Sequence, residues 1–443
     1  MTLPSTSSIG PSGLRIVPDM PICQRDLPLD WYQEEFRPYA EEYLALPDRR
    51  PETILPWMDR YLEPALAHFG DSIMLLAHYY MGGEIVKLVE RYGGRIADSY
   101  ELALQTRERA DVKIFVESAV HFMAESIAIL ANDDQQVWIT NPKSGCTMEM
   151  MAKDWMVEPV FEELRTRYGD DLLVLAYMNT SGRVKALAGE TGGAVCTSSN
   201  AKHVVRWALD SGRKIFFVPD RHLGEVVAGQ VGLVGADLFQ WGGGEEGGRM
   251  AIASLDPRER ERLDASRMVL WGSWCGVHTT FTPEQVRYWQ EQGYRVLVHP
   301  ECPKVVVDAA DGAGSTKYLW QEVFDAPRGT RLAIATEGHF VRNARDQGVL
   351  RGVDVVNVAD VPGEKSLGCG CATMSRNDPP HLVAMLDLLR RGEGPDLNHV
   401  LPGDSVDEIT GRRERLTEAE RRGVVANARK ALERMIEITR AAS

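Results

Sequence analysis

WGSWCGVHTTFTPEQV, residues 271–286, is the stretch on which the reading of this chain turns. An apolar run from Met268 to Trp271 stops at Gly272, and a Cys-Gly pair follows at Cys275 and Gly276. Thr282 is a good N-cap and Pro283 fits the first helical position, so the stretch predicts a strand, a tight corner and a helix. In a doubly wound sheet such corners lie at the carboxyl ends of the strands, where ligands bind. A lone cysteine there would simply fill the turn as a small apolar side chain. Its meaning depends on whether the chain repeats the arrangement.

The chain does repeat it. From SIMLLA (residues 72–77) onward, short apolar runs alternate with amphipathic helices, which argues for an α/β architecture with parallel sheets. In three successive blocks the first strand ends in a polar–x–polar pair: His78 and Tyr80, Tyr177 and Asn179, His299 and Glu301. Positions two apart in an extended segment face the same way, so each pair can point at a common site. The second strand of each block leads to a hydroxyl, at Ser99, Ser198 and Thr316, which can cap a helix or meet a carboxylate or phosphate. The third strands run on to Glu117, Asp220 and Glu337, each followed by a histidine at 121, 222 and 339. A fourth run leads to Cys146, to Cys275, and to Cys369 or Cys371.

Corresponding positions recur after about one hundred residues and again after about one hundred and twenty, the size of a small domain each. The expected fold is therefore three similar α/β units, at 56–150, 151–275 and 276–375, around a pseudo-threefold axis that brings three cysteines to one point. Residues 1–55 read as an N-terminal extension, partly disordered. Residues 376–443 read as a helical tail packing outside the core on this framework. An insert at about 238–264 contains WGGGEEGGRM, which lacks the Lys-Ser/Thr of a P-loop and reads as a solvent-exposed loop. Cys196 and Cys302 read as packing residues.

The chain has 443 residues and a net charge of −14, a balance that disfavours nucleic acid as a partner. No apolar run approaches the roughly 20 residues that cross a bilayer, and no signal peptide is visible, so no membrane partner and a cytoplasmic location are expected. Seven cysteines in such a chain point to reduced thiols or metal ligands rather than a disulfide scaffold. Three converging thiolates leave a coordination position open: zinc could take three Cys and one His, and an iron–sulfur cluster could be held at three irons. Spacing does not separate the two.

The motifs LLAHYY, ADSYELA, VHFMAES, SGCTMEMM, LAYMNTSGRVKALA, CTSSNA, PDRHLG, WGSWCGVHTTF, VHPEC, GSTKYL and ATEGHF, with the C-x-x-M of Cys371 to Met374, occur in the order in which they stand in the quinolinate synthase family, which the chain resembles over about residues 72–375. The resemblance implies three Rossmann-like α/β/α domains and a reaction that condenses iminoaspartate with dihydroxyacetone phosphate to quinolinate, with loss of phosphate and water, in the biosynthesis of NAD. It implies one four-iron four-sulfur cluster with three cysteine ligands, Cys146, Cys275 and Cys371, and one open iron that binds substrate; the C-x-x-M context selects Cys371 over Cys369. It further implies that His78, Tyr80, Ser99, Tyr177, Asn179, Ser198, His299, Glu301 and Thr316 form the substrate pocket, with Glu301, Tyr80 and His299 moving protons. Functional coupling to an aspartate oxidase or dehydrogenase would accompany such a reaction. The alternative from another class is a non-catalytic iron–sulfur sensor, which would need no converging Glu, His and Tyr, or a structural zinc protein, which would want a closed fourth ligand.

Overall fold

The computed structural model describes residues 26–363 and 370–442; the front of the N-terminal extension and Cys369 lie outside the described residues. The apolar runs form parallel strands in three separate sheets. The first sheet holds β1 (Ile73–His78), β2 (Arg95–Ala97), β3 (Ile114–Ser118) and β4 (Gln136–Ile139) in the order β2-β1-β3-β4. The second holds β5 (Leu172–Tyr177), β6 (Ala194–Cys196), β7 (Lys214–Val218), β8 (Leu238–Gln240) and β9 (Met268–Leu270) in the order β6-β5-β7-β9-β8. The third holds β10 (Arg295–Val298), β11 (Gly312–Ala313), β12 (Arg331–Ala335) and β13 (Asp354–Asn357) in the order β11-β10-β12-β13. Apart from β8, the order is the same three times, so the chain contains three similar α/β units. β1 and β5 are buried along their whole length, as parallel strands covered by helices on both faces must be.

Register corrects one sequence-derived equivalence. Ala77 pairs with Ser118, Ala176 with Val218, and Val298 with Ala335. Two residues beyond those partners stand Val120, Asp220 and Glu337, and all three are the N-caps of the following helices. Val120, not Glu117, is thus the counterpart of Asp220 and Glu337. Glu117 lies three positions earlier, fully buried, and neither carboxylate oxygen has a hydrogen-bond partner.

The insert also differs from its expectation. It adds β8 as a fifth parallel strand beside β9, and GGGEEGG forms a short helix, Gly244–Arg249, rather than a free loop. Glu245 and Glu246 are exposed, but Trp241 is buried and its Nε1 donates to Gly247 O at 3.0 Å. A Cβ on Gly243 would lie 2.4 Å from Gly272 O, so glycine is required for the insert to touch the Cys275 corner backbone to backbone.

The tail goes deeper than an outer layer. Leu382 to Leu386 and Leu388 of the helix Pro379–Arg390, and Ala428, Leu432 and Met435 of the helix Glu418–Ala442, belong to the main apolar cluster. At the other end, the helix Pro51–Phe69 begins before the expected start of the first unit at residue 56. No helix among the described residues is long and apolar enough to cross a membrane.

Candidate active site

The corner that follows β9 is built as its sequence requires. Thr282 Oγ1 accepts from Gln285 N at 3.3 Å and Gln285 Oε1 from Thr282 N at 3.1 Å, a reciprocal cap that starts the helix Pro283–Glu291. Ser273 Oγ donates to Pro219 O at 2.6 Å, fixing the approach to Cys275. Cys275 then faces a cavity of about 280 Å³ at the carboxyl ends of the three sheets.

Every residue selected for the site from the sequence lines this cavity. The first unit contributes His78, Tyr80, Ser99 and Cys146, the second Tyr177, Asn179, Ser198 and Cys275, and the third His299, Glu301, Thr316 and Cys371. The helices Ser99–Glu108 and Thr316–Asp325 are capped by the preceding residues, Asp98 and Ser315, which leaves the hydroxyls of Ser99 and Thr316 for the cavity. Cys196 and Cys302 are fully buried and lie outside the lining, as do His121 and His222. His339 bears on the site indirectly: its Nδ1 meets Glu337 Oε1 at 2.9 Å, and the same oxygen accepts Cys371 N at 2.9 Å.

Tyr177 donates its hydroxyl to Glu301 Oε1 at 2.5 Å. Glu301 Oε2 lies 2.8 Å from His278 Nδ1, an ion-pair distance without hydrogen-bond alignment, and 3.8 Å from His299 Nδ1. On its other side His278 Nε2 meets Thr336 Oγ1 at 3.0 Å, and Thr336 Oγ1 meets the Tyr80 hydroxyl at 3.0 Å. Glu301, His278, Thr336 and Tyr80 therefore form a continuous chain of groups that can carry protons. His278 and Thr336 were quoted within motifs but not singled out; the signal for His278 was its place three residues after Cys275.

Burial raises Glu301, but His299, His278 and the Tyr177 hydroxyl outweigh it and hold the carboxyl below its usual range. Burial, and the charge of Glu301, push the phenols of Tyr80 and Tyr177 well above theirs. Burial lowers His78 to about 4 and His299 to about 3, so both are neutral near pH 7. The thiols of Cys146, Cys275 and Cys371 are all raised, first by burial, and Cys146 and Cys275 also by the neighbouring sulfurs. No Lys or Arg lines the cavity among the described residues. Cys275, His278 and Glu301 place donor atoms within 4.8 Å of one another, a group able to hold a metal ion.

A thiol-rich cavity at a three-unit interface, with a buried carboxylate, imidazole and phenol in one chain, defines an α/β enzyme with a group of donors able to hold a metal ion. Residues 65–398 match the family model described as NadA, quinolinate synthetase A protein. A quinolinate synthase of Acidobacterium capsulatum is 36% identical over 83% of this chain and 92% of its own length. One of Corynebacterium glutamicum is 32% identical over 91% and 93%, and one of Streptomyces coelicolor 33% identical over 81% and 87%. The chain belongs to the quinolinate synthetase A family and is an enzyme. The sensor and structural-zinc alternatives find no support among these relatives.

Proposed function

We propose that the chain forms quinolinate in NAD biosynthesis, in the cytoplasm, by condensing iminoaspartate with dihydroxyacetone phosphate and releasing phosphate and water, in functional coupling with an aspartate oxidase or dehydrogenase. The observation that carries this reading is the meeting of Cys146, Cys275 and Cys371 with Glu301, Tyr80 and His299 in one cavity. The residues present fit a four-iron four-sulfur cluster held by the three cysteines. With no Lys or Arg among the described lining residues, thiols raised by burial and mutual repulsion gain their charge from a cationic core. A single zinc on three thiolates needs sulfurs about 4 Å apart. The three donors that lie within 4.8 Å of one another among the described residues are those of Cys275, His278 and Glu301, a set with one thiolate rather than three. When bound, such a cluster supplies an iron with an open position that acts as a Lewis acid.

The chain's own residues do the rest. Tyr80 N donates to His78 Nδ1 at 3.2 Å and Glu301 N to His299 Nδ1 at 3.3 Å, so each neutral imidazole carries its proton on Nε2 and offers it to a substrate oxygen. The hydroxyls of Ser99, Ser198 and Thr316, with the Asn179 amide, take the carboxylates and the phosphate. Glu301 accepts a proton from substrate carbon, and the His278–Thr336–Tyr80 chain returns a proton to a leaving hydroxyl. Anaerobically reconstituted protein given freshly generated iminoaspartate and dihydroxyacetone phosphate is expected to release quinolinate, measured by chromatography; a fully loaded protein that makes none would refute the assignment.

A further inference from the structure

Two of the three thiol-bearing loops are stitched to each other by a buried polar network, whereas the third meets them through single bonds. Asn377, only 5% exposed, stands between the Cys146 and Cys371 loops. Its Nδ2 donates to Ser144 Oγ and to Ala119 O, both at 2.8 Å, and its Oδ1 accepts from Thr140 Oγ1 at 2.7 Å. Ser144, two residues before Cys146 and fully buried, donates from Oγ to Thr373 O at 2.8 Å, two residues after Cys371. Asn141 Nδ2 donates to Arg376 O at 2.8 Å, and Arg376 Nη1 returns to Lys143 O at 2.8 Å. Arg376 Nη1 also reaches Glu408 O at 2.7 Å, which brings the C-terminal tail, beyond the family-matched residues 65–398, into the same joint.

The Cys275 corner is held instead to its own unit and, through His278, to Glu301 and Thr336 of the third. Ser273 Oγ bonds Pro219 O at 2.6 Å and Ser273 O accepts Arg221 N at 3.0 Å. Trp271 Nε1, four positions before the cysteine, donates at 2.9 Å to Met151 O, at the C-terminal end of the helix after Cys146. Gly276 N meets the start of that helix through Thr147 Oγ1, at 3.4 Å.

We propose that Asn377, acting through Ser144, is a positioning residue that makes the Cys146 and Cys371 loops one rigid body, of which the Cys275 corner is not a part. Buried, mutually satisfied polar groups resist separation because parting them leaves donors and acceptors unpaired away from water. The consequence for metal binding rests on the reading that these cysteines hold a cluster; the joint itself is testable without one. The experiment is hydrogen exchange by mass spectrometry on chelator-stripped and on cluster-loaded protein, comparing the parent with Asn377→Asp, Ser144→Ala and Thr147→Val. Asn377→Asp keeps the acceptor for Thr140 and removes the donor to Ser144 and Ala119.

In both Asn377→Asp and Ser144→Ala, exchange across 141–146 and 371–377 is expected to quicken together, about tenfold, with 272–278 unchanged. Thr147→Val is expected to quicken 272–278 while the paired loops keep their parental rate. In loaded protein, iron loss to a chelator should accelerate about as much as the loop exchange does in the first two variants. A response in only one of the two loops, or parental exchange in both, would overturn the proposal. Coupled exchange in a protein that never takes up iron would uphold the joint and defeat the cluster reading instead.

Discussion

The carboxyl ends of β1 and β10 use one backbone device for different chemistry. In each, the N–H two residues on bonds the histidine Nδ1, which fixes His78 and His299 as neutral donors. What stands at that second residue differs: a phenol at Tyr80, raised by burial, and a carboxyl at Glu301, kept low by its imidazole and tyrosine partners. Repetition of the fold supplies matching donors on two sides of the cavity. The departure from repetition supplies a base on one side and a weak acid on the other, joined through His278 and Thr336. Proton movement across the site has a direction because the repeats are not chemically identical.

The comparison breaks most severely at its carboxylate end. Glu301→Gln removes the base while keeping a side chain that can meet Tyr177 and His278, and should lower kcat about 10³-fold with cluster content unchanged. Turnover near that of the parent would remove Glu301 from the chemistry. At the phenol end, Tyr80→Phe should lower kcat about a hundredfold, because Thr336 and His278 remain in place without their last proton carrier. An equal loss in a Thr336→Val protein would show the two acting as one path, and an unchanged rate would confine Tyr80 to lining the pocket.

The smallest effect sharpens what the two ends share. His78 and His299 are held near 4 and 3, below the ordinary 6.5, so between those values the unfolded chain binds protons that the folded chain does not. Stability is therefore complete above pH 6.5 and drains as the pH falls, by about 2 kcal/mol per imidazole near pH 5. Urea midpoints followed against pH should show this slope in the parent and a shallower one in His78→Gln. The same slope in both would mean that His78 is not held neutral by the fold.

Much of this was legible in the sequence because strand ends carry their chemistry in order. His78, Tyr177 and His299 each close a buried apolar run, and the period of two places the next polar residue on the same side. Cys275 could be placed because Thr282 and Pro283 mark the helix that follows. What failed depended on register, which a single sequence does not encode. Glu117 and Asp220 both end an apolar run, yet only pairing across β1–β3 and β5–β7 reveals that Val120 is the counterpart of Asp220. His278 lies past the corner, beyond any strand period, and Thr336 gains its importance from Tyr80, more than two hundred and fifty residues away in the chain. The GGGEEGG segment reads as solvated because it is glycine-rich and charged, whereas its glycines serve close backbone contact.

That contact makes the insert a gauge for the thiol corner. Gly243 lies against Gly272 and Gly247 against Gly242, with main chain on main chain and no side chain between to absorb a shift. A single methyl added at Gly243 or Gly272 must push Ser273, and with it Cys275, toward or away from the cavity. Residues 238–264 thus gauge the backbone that leads to one thiol, and a shortened protein made by excising them would keep the four repeated strands and lose both β8 and this calibration.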